Sequence, residues 1–441
     1  MRQGSDLKNL LSDMIGIATS KERLRQKLQV SLYRNAIYLI ISNAISALLG
    51  FVFWMLAARL YPAADVGKAS AAISAMMLLS LLATLGLDYA IIRFLPNANR
   101  AANTMVNSCL TIAGLASIIV AFIFIGGLRF WSPGLLFLRE EPIYLSSFVI
   151  FTAVLTLYAI VSRVFIAARR AAFNLAQILS NQLIEIALII PFAAFFASFG
   201  IFAAWGLSEF AALMIAILLL LPRIQAGYRP SVAIDRNAVS KMVQFSLSNY
   251  IAALLGYAPT YILPLMVVNL VGAEDNAFFY IAWAIASVLF SIPVGTSLSL
   301  FADSSHDTNM LHQNFQRSLK LTFLILIPAV ALIFLIGAKI LHLFGGGYSE
   351  HATKLLWILG LSALPLGINS IYFSLKRVGK KMKGVIYLSA FITVVTLVLS
   401  WFLMPRIGIL GTGVAWLSSQ TVVSLVIIFL QLRSSRRELP Q

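Results

Sequence analysis

Along this chain of 441 residues the apolar positions do not alternate with polar ones; they run together. Apolar stretches of about 20 or more residues recur from residue 35 nearly to the end, each long enough to cross a hydrocarbon core of about 30 Å as a helix. The pattern predicts an all-α integral membrane protein with twelve spans, at 35–59, 69–92, 105–128, 143–167, 173–198, 200–222, 243–270, 276–301, 319–342, 354–375, 383–404 and 408–432.

Polar residues inside such runs are the informative ones. In the fifth span Asn174, Gln177, Asn181 and Glu185 follow at steps of three, four and four, which puts them on one helix face, and Gln182 widens the stripe. The first span carries Asn35, Tyr38, Ser42 and Ser46 at the same spacing, and two such stripes suggest the walls of a wet substrate cavity. An ionisable group near the bilayer centre costs a few kcal/mol, so it faces a cavity or a partner rather than lipid. Glu185, Glu209 after Ser208, and Asp88 just before Arg93 are therefore candidates for cavity or coupling carboxylates, with a structural ion pair or hydrogen bond as the competing account. Arg93 and Arg163 lie about a turn inside one membrane face and Arg59 lies at the other; each suits a snorkelling anchor or a ligand for phosphate oxygens.

The chain also repeats itself. "SNAISALLGF" (Ser42–Phe51) returns as "SNYIAALLGY" (Ser248–Tyr257), and the Gly200-Ile201 pair returns as Gly408-Ile409 in nearly the same register. Six spans per half re-enter the membrane from the same side, so a second copy keeps the topology of the first, a known transporter plan with the substrate site between the halves. The expected division is an N-terminal segment 1–34, a six-helix bundle 35–222, a linker 223–241, a second bundle 242–433 and a tail 434–441. Asn43 and Asn249 are equivalent in the repeat and are candidates to line the interface. Prolines concentrate in the second half, and "GYAPTYILP" sets Gly256, Pro259 and Pro264 close together as a candidate gate or a static kink.

Composition agrees with a membrane protein: 60% hydrophobic, 11% charged, mean hydropathy +0.90. The net charge of +17 first suggests nucleic acid, but the basic residues are topological. With the N-terminus inside, 26 of 33 fall on the cytoplasmic side, which by the positive-inside bias places both termini in the cytoplasm. Leu7, Leu10, Leu11, Met14 and Ile15 have the spacing of an interfacial helix in an otherwise polar N-terminal segment. A lone Cys109 excludes an internal disulfide. No phosphate-binding glycine loop, zinc-type histidine pair or hydrolase elbow occurs, so neither an enzyme nor a cofactor is expected.

The stretch "SNAISALLGFVFWMLAARLYPAADVGKASAAISAMMLLSLLATLGLDYAIIRFLP", Ser42–Pro96, resembles the opening helices of the polysaccharide transporter or oligosaccharide flippase family of the multidrug/oligosaccharidyl-lipid/polysaccharide superfamily. "IGILGTGVAWLSSQ", Ile407–Gln420, is similar to that family's last helix. The resemblance implies a V of two six-helix bundles around a central cavity in the plasma (inner) membrane. It implies transport of a lipid-linked oligosaccharide of the polyprenyl diphosphate type from the cytoplasmic to the outer leaflet, as in O-antigen and other lipopolysaccharide assembly, with Arg93, Arg163 and Arg59 as diphosphate candidates by position. A glycan polymerase or glycosyltransferases would be its protein partners, and the chain itself a monomer. A proton- or sodium-coupled multidrug or metabolite exporter of the same superfamily is the alternative, and a non-transport membrane scaffold a third.

Overall fold

The computed structural model describes residues 31–437 other than 197, 226, 307–310 and 379–381. The apolar periodicity of Leu7 to Ile15, the side chain of Asn35 and the end of the tail lie outside the described residues. Twelve helices among those described are long and apolar enough to cross a membrane, and the protein is an all-α multi-pass membrane protein. The helices are α1 (Ser31–Leu60), α2 (Ala63–Ala83), α3 (Leu87–Phe94), α4 (Ala102–Gly126), α5 (Pro142–Ala167), α6 (Ala171–Phe195), α7 (Phe199–Ile215), α8 (Arg236–Leu270), α9 (Ala273–His306), α10 (Leu311–His342), α11 (Gly346–Val378), α12 (Met382–Ile407) and α13 (Leu410–Arg437).

Several helices outrun their apolar windows. α8 begins at Arg236 rather than 243, and α10 is already helical at Leu311, where the description resumes after 307–310. Hydropathy marks where a helix enters the apolar phase, whereas its end is set by a cap; at α8 the Asp235 carboxylate accepts from the Ala238 N–H at 3.0 Å. The second predicted span, 69–92, is broken. Leu85 and Gly86 take φ of 51° and 76°, ending α2 and restarting the chain as α3. The break sits where α8 passes close by, since a Cβ on Gly86 would lie 2.7 Å from Ser246 Oγ. It also places Asp88 in the first turn of α3, where the helix dipole favours an anion.

Packing repeats as the sequence does. In the first half α1 packs on α6, α6 on α7, α4 on α5 and α5 on α7; in the second, α8 packs on α12, α12 on α13, α10 on α11 and α11 on α13. The halves meet through α2 against α8 and α9. Because successive spans reverse direction, the corners after α1, α4, α6, α8, α10 and α12 share one face, here the far face. The linker between α7 and α8 lies on the other, the linker face.

The linker is laced to α4 of the first half. Asn107 Nδ2 donates to Arg229 O at 3.0 Å and Ser231 Oγ at 2.8 Å, the Tyr228 hydroxyl donates to Asn107 Oδ1 at 2.8 Å, and Asp235 N donates to Ser108 Oγ at 3.0 Å. The joint between the halves therefore falls at the cap of α8. Burial pushes the Tyr228 phenol up to about 12. A raised phenol favours the protonated fold, so this contribution is complete below about pH 10 and is lost as pH rises through 12. Asn107→Ala leaves the strap's polar groups unpaired, at a cost of roughly 1–3 kcal/mol; the expected result is faster tryptic cleavage after Arg229 with the transmembrane helices intact. An unchanged cleavage rate would show that Asn107 does not hold the strap.

Candidate functional site

The far face is closed across the two halves by side chains from both. Arg59, at the end of α1, donates from Nε to Leu343 O and from Nη2 to His342 O, both at 2.8 Å. Its planar fork thus fits the carbonyls left open at the end of α10, where a helix also favours a cation. Asn276 of α9 donates from Nδ2 to Gly67 O at 2.8 Å and to Ser70 Oγ at 3.1 Å. Asn269 of α8 donates to Ser132 Oγ at 3.0 Å and accepts from Gly134 N at 2.7 Å. Phe51 meets Phe344 edge-on at 4.9 Å, and Trp54 meets Tyr280 at 4.6 Å. Gly67 permits this approach, because a Cβ there would fall 1.6 Å from Ala273 O.

Toward the linker face α1 and α9 carry more exposed surface. Asn43 and Leu48 on α1 are exposed, as are Ser291, Val294 and Gly295 on α9. Asn249, the repeat equivalent of Asn43, is exposed as well. Here the halves hold through α8, with Tyr250 OH donating to Leu82 O at 2.9 Å and Phe94 edge-on to Phe245 at 5.4 Å. Gly256 is exposed, whereas Pro259 and Pro264 are buried and α8 runs unbroken through both.

The polar stripe of α6 is buried and faces α5 and α7. Asn174 Oδ1 accepts from Ser162 Oγ, Gln177 Nε2 donates to Tyr158 O at 3.3 Å, and Asn181 Nδ2 donates to Glu209 Oε1 at 3.0 Å. Helical periodicity thus brings Asn181, Glu185 and Glu209 together, Glu185 and Glu209 lying within electrostatic reach of one another. Asn181 Oδ1 and Glu209 Oε2 accept no hydrogen bond from the protein, nor do Gln177 Oε1 along the same stripe and Gln182 Oε1, which lies toward Gly50 of α1. Two carboxyl groups with unused amide oxygens are the donor set that takes up a proton or a hard monovalent cation. Tyr280 of the second half lies within electrostatic reach of Glu185, so the cluster borders the seam.

Ser42 is buried, its hydroxyl turned back to Tyr38 O at 2.6 Å. Of the arginines, Arg93 is exposed, Arg59 joins the far-face closure, and Arg163 lies 3.9 Å from buried Asp88 with its side chain 41% exposed. Asp88 Oδ1 has no hydrogen-bond partner. The sequence reading missed Gly67, Asn276 and Asn269, because a glycine or asparagine near a helix end carries no mark of a partner some two hundred residues away.

The family described as polysaccharide biosynthesis protein matches residues 32–294. A protein of Shigella flexneri named as a putative O-antigen transporter is 26% identical over 176 residues, covering 39% of this chain and 41% of that protein. The chain thus matches about two fifths of that relative's length. Among solved structures, the lipid II flippase MurJ in an inward closed conformation superposes with a TM-score of 0.73 at 13% identity, covering 92% of this chain and 88% of that one. A multidrug resistance MATE family transporter of the MOP superfamily in its inward-facing conformation gives 0.66 at 15% identity over 91% and 98%. The fold is therefore that of MurJ and the MATE transporters, and by its match from the first helix into the ninth the chain belongs to the polysaccharide biosynthesis protein family.

Proposed function

We propose that the protein carries a lipid-linked oligosaccharide from the cytoplasmic to the outer leaflet of the plasma membrane by alternating access between its halves. The observation that carries this reading is a seam closed on the far face by side chains of both halves, in a chain of the polysaccharide biosynthesis family. With the linker face cytoplasmic, as the basic residues require, this state admits cargo from the side on which lipid-linked glycans are made. Opening the far face and closing the linker face then releases the headgroup outside, the lipid tail remaining in the bilayer.

Arg163 is the phosphate ligand in this reading, with Arg93 nearer the entrance. Its ion pair with Asp88 is long, and a diphosphate offers its guanidinium two parallel charge-assisted hydrogen bonds instead. Asn43 and Asn249 are the polar lining of the path, and Gly256, Pro259 and Pro264 are its hinge. The acceptor cluster of Asn181, Glu185 and Glu209 supports ion coupling, through proton or sodium binding that favours one state over the other. The same carboxyl groups favour a second reading, export of a cationic compound.

Deletion cells distinguish the two. The expected result is accumulation of lipid-linked oligosaccharide by mass spectrometry with loss of surface glycan, restored by the wild-type chain and not by Arg163→Ala. Normal surface glycan with no stranded intermediate, in cells lacking a second transporter of the same cargo, would sink the flippase reading in favour of export.

A further inference from the structure

Tyrosines run through the seam in a line. Tyr89 of α3, in the first half, lies within electrostatic reach of Arg163 in its own half and of Arg377 and Tyr257 in the other. Tyr257 stacks on Tyr261 one turn further along α8, their centroids 6.0 Å apart and their planes 15° from parallel. Tyr261 is in turn within reach of Tyr89, and Tyr280 of α9 within reach of both Tyr261 and Glu185. These rings answer to groups of both halves, so they belong to the seam rather than to an aromatic belt facing lipid.

The open part of this surface is Tyr257, with Tyr261 half-buried beside it. Tyr257 is 51% exposed, and a Cβ on the adjacent Gly256 would touch nothing within 4 Å. Arg377 is exposed and within electrostatic reach of Tyr89. A tyrosine presents a flat apolar face and a hydroxyl at its edge, and it gives large contact area with few rotamers to fix. A pyranose ring is its counterpart, with one face of C–H groups and a rim of hydroxyls. With the two rings stacked on each other, the outer face of Tyr257 is the one left for a sugar ring, and Tyr261 backs it.

We propose that Tyr257 and Tyr261 form a platform at the seam on which the sugar rings of the cargo stack, near the arginines that receive its phosphate end. This deepens the flippase reading and rests on it. The platform gives affinity for the glycan without reading its individual hydroxyls.

The test uses the full chain in nanodiscs and three probes: undecaprenyl diphosphate, the same lipid bearing N-acetylglucosamine, and tetraphenylphosphonium. The wild type is expected to bind the sugar-bearing lipid about tenfold more tightly than the sugar-free one. Tyr257→Ala with Tyr261→Ala should erase that preference and leave the sugar-free affinity unchanged, while the double Phe variant, which keeps the rings and the fold, retains it. Equal preference in the Ala and wild-type proteins, or none in the wild type, overturns the platform alone. If neither lipid binds the wild type, the flippase reading falls and the platform with it. Binding of tetraphenylphosphonium in place of the lipids would assign the rings to cationic cargo and overturn the sugar platform.

Discussion

Gly67→Ala is expected to abolish transport while leaving a folded, inserted protein. The added Cβ would stand 1.6 Å from Ala273 O, 2.7 Å from Ala273 C and 3.1 Å from Ala277 N, all backbone atoms that no rotamer change can move aside. α2 and α9 must then separate, and the hydrogen bonds from Asn276 to Gly67 O and Ser70 Oγ go with them. Neither half loses internal packing, so the penalty falls on the state closed at the far face. Moving a two-state equilibrium from 99:1 to 1:99 takes about 5.5 kcal/mol, and a clash of this depth between two backbones has no cheaper relief than opening. A cysteine pair, Phe51→Cys with Phe344→Cys, reports the closure, because those rings touch across it at 4.9 Å and the native Cys109 is buried. A short bismaleimide should join the pair in the wild-type background and fail in Gly67→Ala, with surface glycan reduced at least about tenfold. Unchanged cross-linking together with unchanged glycan would show that the glycine contact is incidental.

The second large effect concerns the buried carboxyl groups. Glu209→Ala leaves Asn181 Nδ2 without its acceptor in a dry interior, a loss of roughly 1–3 kcal/mol that should lower the melting temperature. Glu209→Gln keeps an acceptor and the shape while removing the ionisable group, as does Glu185→Gln. If the cluster couples transport to an ion, the double glutamine variant folds as the wild type does, transports at roughly a tenth of its rate or less, and no longer responds when the proton or sodium gradient is collapsed. Transport at the wild-type rate with the gradient response retained would leave the cluster a structural hydrogen-bond network only.

Both expectations depend on contacts that differ in how far the sequence discloses them. The α6 stripe is legible because 3.6 residues per turn sets Asn174, Gln177, Asn181 and Glu185 on one face whatever surrounds them, and the structure buries all four. What they face is not legible. Periodicity names a face and leaves its neighbour open, so a stripe read as the wall of a wet cavity turns out to pair with Ser162, Tyr158 and Glu209 of α5 and α7. Arg59 is similar: its place at a membrane face follows from the chain, its grip on His342 O and Leu343 O does not.

By itself, then, the sequence determined twelve apolar helices, their alternating direction, the weight of basic charge on one face and a likeness between two halves. All of these follow from local composition and spacing, because a bilayer forces each segment to satisfy its own backbone as a helix before it meets any neighbour. Tertiary structure alone decided where the second span breaks and which face of the seam is closed. Those outcomes depend on the approach of helices distant in sequence: Gly86 breaks its helix where α8 crosses, and Gly67 admits α9 because no side chain stands between them.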